Sequence, residues 1–129
     1  MLTRASGEAV VARADLAFDP DAFDPLGADA TATVQLVERD GGYEIVIDDA
    51  QLPSVAEEAD LELWLIEADA TGSIVDVAPV SLVSGTGAYA VPESLDVSTH
   101  RIVDISIEPR DGDEAHSGRS ILRGTLTDV

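Results

Sequence analysis

The stretch "ATATVQLVERDGGYEIVID", residues 30–48, decides the fold class of this chain. On each side of a central Arg-Asp-Gly-Gly sequence, apolar and polar residues alternate with the two-residue period of a half-buried β-strand. The residues predicted to share one face are Ala32, Val34 and Leu36 before the turn and Tyr43, Ile45 and Ile47 after it. Because Asp and Gly are typical of tight turns between paired strands, the stretch predicts a β-hairpin.

The same alternation recurs along most of the chain, whereas helical periodicity is nearly absent. In "LELWLIE", residues 61–67, three leucines face one way while Trp64 and Ile66 face the other, which predicts a central strand covered on both sides. Further strands are predicted within residues 8–18, 73–83, 87–92, 101–109 and 120–126. The predicted fold class is therefore all-β: an antiparallel β-sandwich of about seven to eight strands, Ig-like in general architecture.

Local features refine this prediction. Pro79 interrupts residues 73–83 and predicts an edge strand or a bulge, and such an edge could pair with a partner. A helical turn is predicted only within residues 53–60, where Ser54 could cap it. Residues 18–25 repeat Phe-Asp-Pro and are expected to form an ordered loop pinned by its two Phe side chains, Phe18 and Phe23. In residues 101–109 the apolar set is predicted to point in and the polar set out: Val103, Ile105 and Ile107 against Asp104, Ser106 and Glu108.

The length of 129 residues predicts a single domain over residues 1–129. Within it, residues 1–28 would supply an N-terminal strand and an acidic loop, and residues 29–129 the core sandwich. With 45% apolar residues the chain can bury a core without disulfides or a metal. No apolar run reaches the roughly 18 residues of a membrane-spanning helix, and the start "MLTRASGEAV" lacks the apolar stretch of a signal peptide.

The charge of the chain is strongly unbalanced. Against 26 acidic residues stand 7 basic ones, all Arg, for a net charge of −19. Such a surface repels phosphate and anionic headgroups, so neither nucleic acid nor direct lipid binding is expected. Cysteine is absent, which excludes disulfides and thiolate-bound metals.

Residues 110–119, here called the acidic loop, could be a metal site, an acid–base pair or a turn. An EF-hand needs acidic residues at alternate positions and a Glu that closes a twelve-residue loop, and this closing Glu is missing. One histidine also falls short of a three-ligand zinc site. The remaining cation candidate is the cluster Asp111, Asp113 and Glu114. Pro109, Gly112 and Gly118 instead favour a structural turn, in which Asp111 or Ser117 could hydrogen-bond the backbone and Arg119 could offset acidic charge.

Catalytic motifs are not apparent in the sequence. His100 and His116 are the only histidines, and the position of Ser117 next to His116 in the chain is not triad geometry. There is no Gly-x-Ser-x-Gly elbow or phosphate-binding glycine loop. The chain is therefore predicted to be non-enzymatic, with no catalytic, cofactor-binding or metal-binding residue and no cofactor. The single Trp64 is predicted to lie in the core, with its N–H bonded to one partner.

Two segments together resemble a known family. "LELWLIEAD", residues 61–69, and "IVDISIEPRDGDEAHSGRSILRGTL", residues 102–126, resemble the extracytoplasmic C-terminal domain of anti-sigma-K-type anti-sigma factors. The family pattern also includes a "GAYAVPESLD"-like stretch between these segments, so the resemblance spans roughly residues 43–129. The residues that match the family motifs are Trp64, Glu108, Pro109, Asp111, Gly112, His116, Ser117, Gly118, Arg123 and Gly124. The resemblance implies that these residues are structural and that the acidic loop is a fold-specific strand connection.

The resemblance implies a regulator made of a cytoplasmic segment that holds a sigma factor, one transmembrane helix, and this domain outside. The helix would then lie just before residue 1, with Met1 an introduced start or a point of truncation, and the domain would sit at the extracytoplasmic face of the cell membrane. The sigma factor would be a partner only through the absent cytoplasmic segment, while a membrane protease or an envelope signal protein could contact this domain. The expected function is to modulate regulated proteolysis, sigma-factor release and hence transcription, with local unfolding of residues 8–18 as the switch.

Two other functions stay open at this point. The acidic stretches at Asp19–Asp24 and Asp111–Glu114 would suit a calcium- or small-ligand-binding β-sandwich of the cell surface. An enzyme would require His100 or His116 to lie in a concave pocket beside a carboxylate with a perturbed pKa.

Overall fold

A computed structural model describes residues 8–55 and 57–129 as two antiparallel β-sheets. The strands are β1 (Ala9–Leu16), β2 (Thr31–Arg39), β3 (Gly42–Gln51), β4 (Ala59–Ala68), β5 (Ile74–Val83), β6 (Gly87–Ala90), β7 (Ile102–Pro109), β8 (Ser120–Thr125) and β9 (Thr127–Asp128). The first sheet has the order β6-β3-β2-β1-β9, and the second has the order β5-β4-β7-β8. This arrangement confirms the predicted all-β antiparallel sandwich. Predictions that concern Met1 and residues 2–7 lie outside the described residues.

Every predicted strand is present, and β9, a two-residue strand at the end of the chain, is an addition to the prediction. The helical turn is placed differently. A short 3-10 helix occupies Pro25–Gly27, where the Asp24 side chain accepts a hydrogen bond from the N–H of Leu26 at 2.9 Å. Proline preorganises the first turn and Asp caps it, so the local chemistry favours this position. The prediction for residues 53–60 is wrong for the part described, since β4 begins at Ala59; Ala56 lies outside the described residues.

The predicted hairpin is formed by β2 and β3. Their pairing runs from Thr31 opposite Gln51 to Arg39 opposite Gly42, with one register shift after Thr33. At the turn, Asp40 has a φ of 53° and Gly41 a φ of 83°. Two consecutive left-handed residues make a turn whose twist matches that of the strands, and Gly adopts this conformation without steric cost.

The second sheet is organised around β4, as its two apolar faces predicted. It lies between β5 and β7, its three leucines join the core between the sheets, and Trp64 and Ile66 are buried on the opposite, outer face. The neighbouring β5 is an edge strand, and its register against β4 shifts between the residues opposite Leu63 and Trp64, next to Pro79. Both alternatives predicted from Pro79, edge and bulge, are therefore present.

The core between the sheets is built from the inward positions of the alternating strands. The inward sets predicted for β2 and β7 are buried, and Tyr43 of β3 packs partly buried against them. Strand β1 belongs to the same core, because Ala12, Ala14 and Leu16 point into it. The N-terminal strand is thus an internal part of the first sheet, between β2 and β9.

Candidate functional site on the outer face of the second sheet

The polar residues of β7 lie on the outer face of the second sheet, as predicted, but they do not face solvent. Asp104 and Ser106 are 0% exposed and Glu108 is 7% exposed. The acidic loop folds back over them and brings the ring of His116 to 4.8 Å from the ring of Trp64. Strand alternation sets the face on which a side chain lies, whereas the loop decides whether water reaches it.

Asp104 is the centre of this buried region. Its Oδ1 accepts hydrogen bonds from Ser120 Oγ at 2.6 Å and from Arg123 Nε at 3.0 Å, and its Oδ2 lies 2.7 Å from His116 Nε2. A buried carboxylate is costly unless it is paired and hydrogen-bonded, and these three donors meet that requirement. The Asp104 carboxylate therefore joins β7, β8 and the acidic loop.

The proton on His116 is assigned by its two partners. Nδ1 accepts a hydrogen bond from the backbone N–H of Gly118 at 2.8 Å, so the proton must be on Nε2, which donates it to Asp104. Gly118 has a φ of 83°, a left-handed conformation that glycine adopts without steric cost. The backbone at Gly118 thus orients the ring toward the buried carboxylate.

A second chain of hydrogen bonds runs beside the first. Trp64 Nε1 donates to Ser106 Oγ at 2.8 Å, which is the single partner predicted for this indole, and Ser106 Oγ donates to Glu108 Oε2. Glu108 also accepts from the backbone N–H of Ser117, and Ser117 Oγ lies 2.7 Å from the carbonyl oxygen of Ile107. Ser117 therefore ties the end of the acidic loop to β7. Together these two chains form the outer network, which comprises Trp64, Asp104, Ser106, Glu108, His116, Ser117, Ser120 and Arg123.

The carboxylates at the tip of the acidic loop bind the backbone of the loop itself. Asp111 Oδ1 accepts from the N–H of Asp113 at 2.9 Å, and Asp113 Oδ1 accepts from the N–H of Ala115 at 3.0 Å, as in Asx turns. Both side chains and Glu114 are exposed. In residues 8–55 and 57–129 no group of three His, Cys, Asp or Glu side chains is arranged to hold a metal ion, so the candidate cation cluster is not brought together there. Arg119 pairs outside the loop, with Asp24 at 3.0 Å.

The other histidine, His100, is bonded at both ring nitrogens. Nε2 lies 2.7 Å from Asp76 Oδ2, and Nδ1 lies 2.9 Å from the carbonyl oxygen of Asp96. Burial lowers the pKa of His100, but the hydrogen bonds to Asp76 and Asp96 outweigh it, so the pKa is raised above the usual value. A cavity of about 290 Å³ beside the ring is lined by Pro79, Leu95 and other residues. Both ring nitrogens of both histidines are therefore hydrogen-bonded within the domain.

The N-terminal part of the chain reaches the outer network from one side. Ala17 and Arg123 exchange two backbone hydrogen bonds of 2.9 and 3.0 Å. The guanidinium carbon of Arg123 lies 5.4 Å from the ring centroid of Phe23, which is a cation–π contact. Phe18 packs edge-on against Phe23 with centroids 6.5 Å apart. The Phe-Asp-Pro loop is therefore held against β8, next to Asp104.

The structure brings together six of the residues that carried the family motifs: Trp64, Glu108, His116, Ser117, Gly118 and Arg123. Sequence reasoning missed Asp104, Ser106 and Ser120 as their partners. The available signal was strand alternation, which put Asp104 and Ser106 on the outward face of β7. In the structure, that face places Asp104 directly opposite Trp64 on the adjacent strand β4.

Comparison with known families gives a match to the family described as anti-sigma-K factor rskA, C-terminal, over residues 2–120. The chain belongs to this family. The match extends further toward the N-terminus than the resemblance over residues 43–129, so β1 is part of the family domain. No curated protein and no solved structure matches the chain.

Membership gives this anti-sigma factor domain a regulatory role, with a sigma factor as the partner of the family. It also fits a membrane-associated protein. Within residues 8–55 and 57–129, no helix has the length and apolar character needed to cross a bilayer.

Proposed function

We propose that this chain is the extracytoplasmic regulatory domain of a membrane-anchored anti-sigma factor, and that release of its strand β1 controls proteolysis and sigma-factor release. The domain would be non-enzymatic and would respond to an envelope signal protein or a membrane protease. Family membership supports the anti-sigma role. The backbone bridge between Ala17 and Arg123 supports the mechanism, since it links the end of β1 to the outer network.

Strand β1 is attached with little apolar burial. Its buried inward side chains are two alanines and Leu16, with Val11 partly buried beside them, whereas β7 contributes Val103, Ile105 and Ile107, all buried. Burying a Val, Leu or Ile side chain stabilises a protein by about 1.5–3 kcal/mol, and one methyl-sized group by only about 0.8 kcal/mol. Opening β1 therefore costs less apolar contact than opening β7, as expected of a strand that moves.

The end of β1 is connected to the outer network through Arg123. Arg123 donates through its side chain to Asp104 and through its backbone to Ala17. The next residue, Gly124, has no room for a side chain, because an added Cβ would meet the carbonyl oxygen of Asp15 and the Leu16 side chain. A ligand or protein that displaces the acidic loop would shift β8 and loosen β1 at this close contact.

A disulfide that locks β1 to β2 tests this mechanism. Arg13 and Gln35 are paired across these strands, and paired residues in antiparallel strands lie within the Cα separation of about 4.4–6.8 Å that a disulfide requires. Residues 1–129 contain no cysteine, so Arg13→Cys with Gln35→Cys creates a single possible bond within this domain. A matched control is Thr33→Cys with Asp49→Cys, which locks β2 to β3 instead.

In the full-length anti-sigma factor, the oxidised β1–β2 pair should block cleavage and sigma-dependent transcription under an inducing condition, and reduction should restore both. The β2–β3 pair should leave both readouts unchanged. Unimpaired cleavage with the β1–β2 bond intact would contradict the proposal. So would hydrogen exchange that finds β1 as the most protected strand of the domain.

A further inference from the structure

A row of exposed and half-buried apolar side chains runs along the outer face of the second sheet, on its edge strand β5. It consists of Ile74, Val77, Pro79 and Leu82, here called the apolar stripe. These residues are paired with outer-face residues of the adjacent strand β4, for example Val77 with Ile66 and Pro79 with Trp64. The stripe therefore lies on the same face of the second sheet as Ile66 and Trp64. Ile74 is 51% exposed and Leu82 is 55% exposed. Apolar side chains aligned in this way on an edge are typical of an interaction surface.

One end of the stripe opens into a groove. A cavity of about 300 Å³ lies between Ile74 and Val77 on one side and Phe23 and Arg123 on the other, with Ile66 also in its lining. An aliphatic side chain from another protein fits this mainly apolar space. The groove also borders His116, so its occupant would contact the outer network directly.

The other end of the stripe is acidic. Glu62 lies opposite Leu82, and Glu62, Glu108, Asp113 and Glu114 border a second cavity of about 410 Å³ beside Leu82. The pKa of Glu62 is raised, mainly by burial and then by repulsion from Glu108.

Arg110 is the basic side chain that borders this cavity, and it is already paired. It donates to both carboxylate oxygens of Asp60, at 2.9 and 2.6 Å. In the part of the chain that the structure describes, Glu62 has no cation within salt-bridge distance. A positive charge brought from outside would therefore relieve the repulsion at Glu62.

We propose that the apolar stripe and the carboxylates around Glu62 bind an extended protein segment in which a run of apolar residues is followed by Lys or Arg. The apolar side chains would cover Ile74 and Leu82, and the basic ones would pair with Glu62 and Glu114. This inference goes beyond the proposed function and does not depend on it.

A second copy of the chain fits this surface less well. Each copy carries a net charge of −19, so two copies repel each other. Pro79 has no N–H to donate, and the pairing of β4 with β5 contains two register shifts, so this edge is interrupted for continuous strand pairing.

The test uses this chain with synthetic twelve-residue peptides, followed by NMR of the ¹⁵N-labelled protein. A peptide with a Val-rich first half and a Lys-rich second half, here called the Val-Lys peptide, should shift the amide signals of residues 74–82 and of Glu62. The matched Ser-Lys peptide, with Ser in place of Val, and the Val-Glu peptide, with Glu in place of Lys, should each bind at least about tenfold more weakly, since each supplies only half of the recognition. Binding of the Val-Lys peptide should also lower the pKa of the Glu62 carboxyl group, as followed by ¹³C NMR.

Substitutions at the surface provide the matched controls. Ile74→Ser and Leu82→Ser should each weaken binding of the Val-Lys peptide about tenfold. Val129→Ser, at an exposed apolar residue that follows β9 and bonds through its backbone to Val11 of the other sheet, should not. Equal binding of the Ser-Lys and Val-Lys peptides would overturn the proposal, because only general charge attraction would then be at work. Concentration-dependent dimerisation of the free chain that Leu82→Ser abolishes would assign the stripe to a second copy instead.

Discussion

The outer network should contribute a large share of the stability of the domain, and the substitution Asp104→Ala tests this. The change removes a fully buried carboxylate that accepts from Arg123, Ser120 and His116. A buried donor left without its acceptor costs about 1–3 kcal/mol. Arg123 can turn partly to water, since its side chain is 31% exposed. We therefore expect a loss of about 4 kcal/mol, within the range for breaking a buried ion pair.

Urea unfolding measures this loss, because Trp64 is the only tryptophan and lies within the network. With a denaturant slope of about 2 kcal/mol per molar, a loss of about 4 kcal/mol lowers the urea midpoint by about 2 M. Domains of this kind have a total stability of about 5–15 kcal/mol, so a shift of this size is easily resolved.

Two further substitutions give an intermediate loss and a control for the free energy of unfolding. Asp104→Asn keeps the shape and the Oδ1 acceptor but places an amide opposite the Nε2–H of His116, so about half of the loss is expected. Asp113→Asn, at an exposed position of the acidic loop, should change the free energy of unfolding by no more than about 0.5 kcal/mol. If Asp104→Ala lowers the midpoint no more than Asp113→Asn does, the network does not stabilise the fold and the reasoning fails.

Three further predictions concern other parts of the domain. The raised pKa of His100 means that the folded state holds this proton more tightly, so its stabilising contribution is full below about pH 6.5 and is lost as the pH rises through the folded value. The free energy of unfolding should therefore decrease as the pH rises above about 6.5, and His100→Gln should remove this decrease, as measured by urea unfolding at several pH values. Glu62 also has a raised pKa, so Glu62→Gln should stabilise the domain slightly at pH 7, by no more than about 0.5 kcal/mol after solvent screening, and the gain should vanish in acid. Gly124→Ala should destabilise by about 1–3 kcal/mol and raise hydrogen exchange in β1, because the new methyl group displaces Asp15.

Each of these predictions has a result that would contradict it, and Gly124→Ala also has a control variant. A pH dependence above 6.5 that persists unchanged in His100→Gln would assign it to another group. A Glu62→Gln variant that is less stable than the parent at pH 7 would show that the carboxylate has a favourable partner. Gly42→Ala, where an added Cβ has no closer neighbour than 3.8 Å, should be nearly neutral, and an equal loss there would remove the steric argument for Gly124.

The sequence by itself determined the strands and their inward faces. The alternation around Arg39–Gly42 predicted the β2–β3 hairpin, and the two apolar faces of residues 61–67 predicted the central position of β4. These features depend on neighbouring residues and on the period of the strand, so they are readable without any tertiary contact. The family pattern was readable for the same reason, since its motifs lie within continuous segments.

Only the tertiary structure decided what covers each face. Asp104 was predicted to point out, and it does, yet it is fully buried because His116 lies over it and Arg123 donates to it from β8. Trp64 finds its partner Ser106 across 42 positions of sequence. Strand alternation assigns a face but carries no information about which distant segment closes over it. The outer network and its link to β1 arise from that packing, where a buried charge has to be satisfied by whatever donors the fold brings to it.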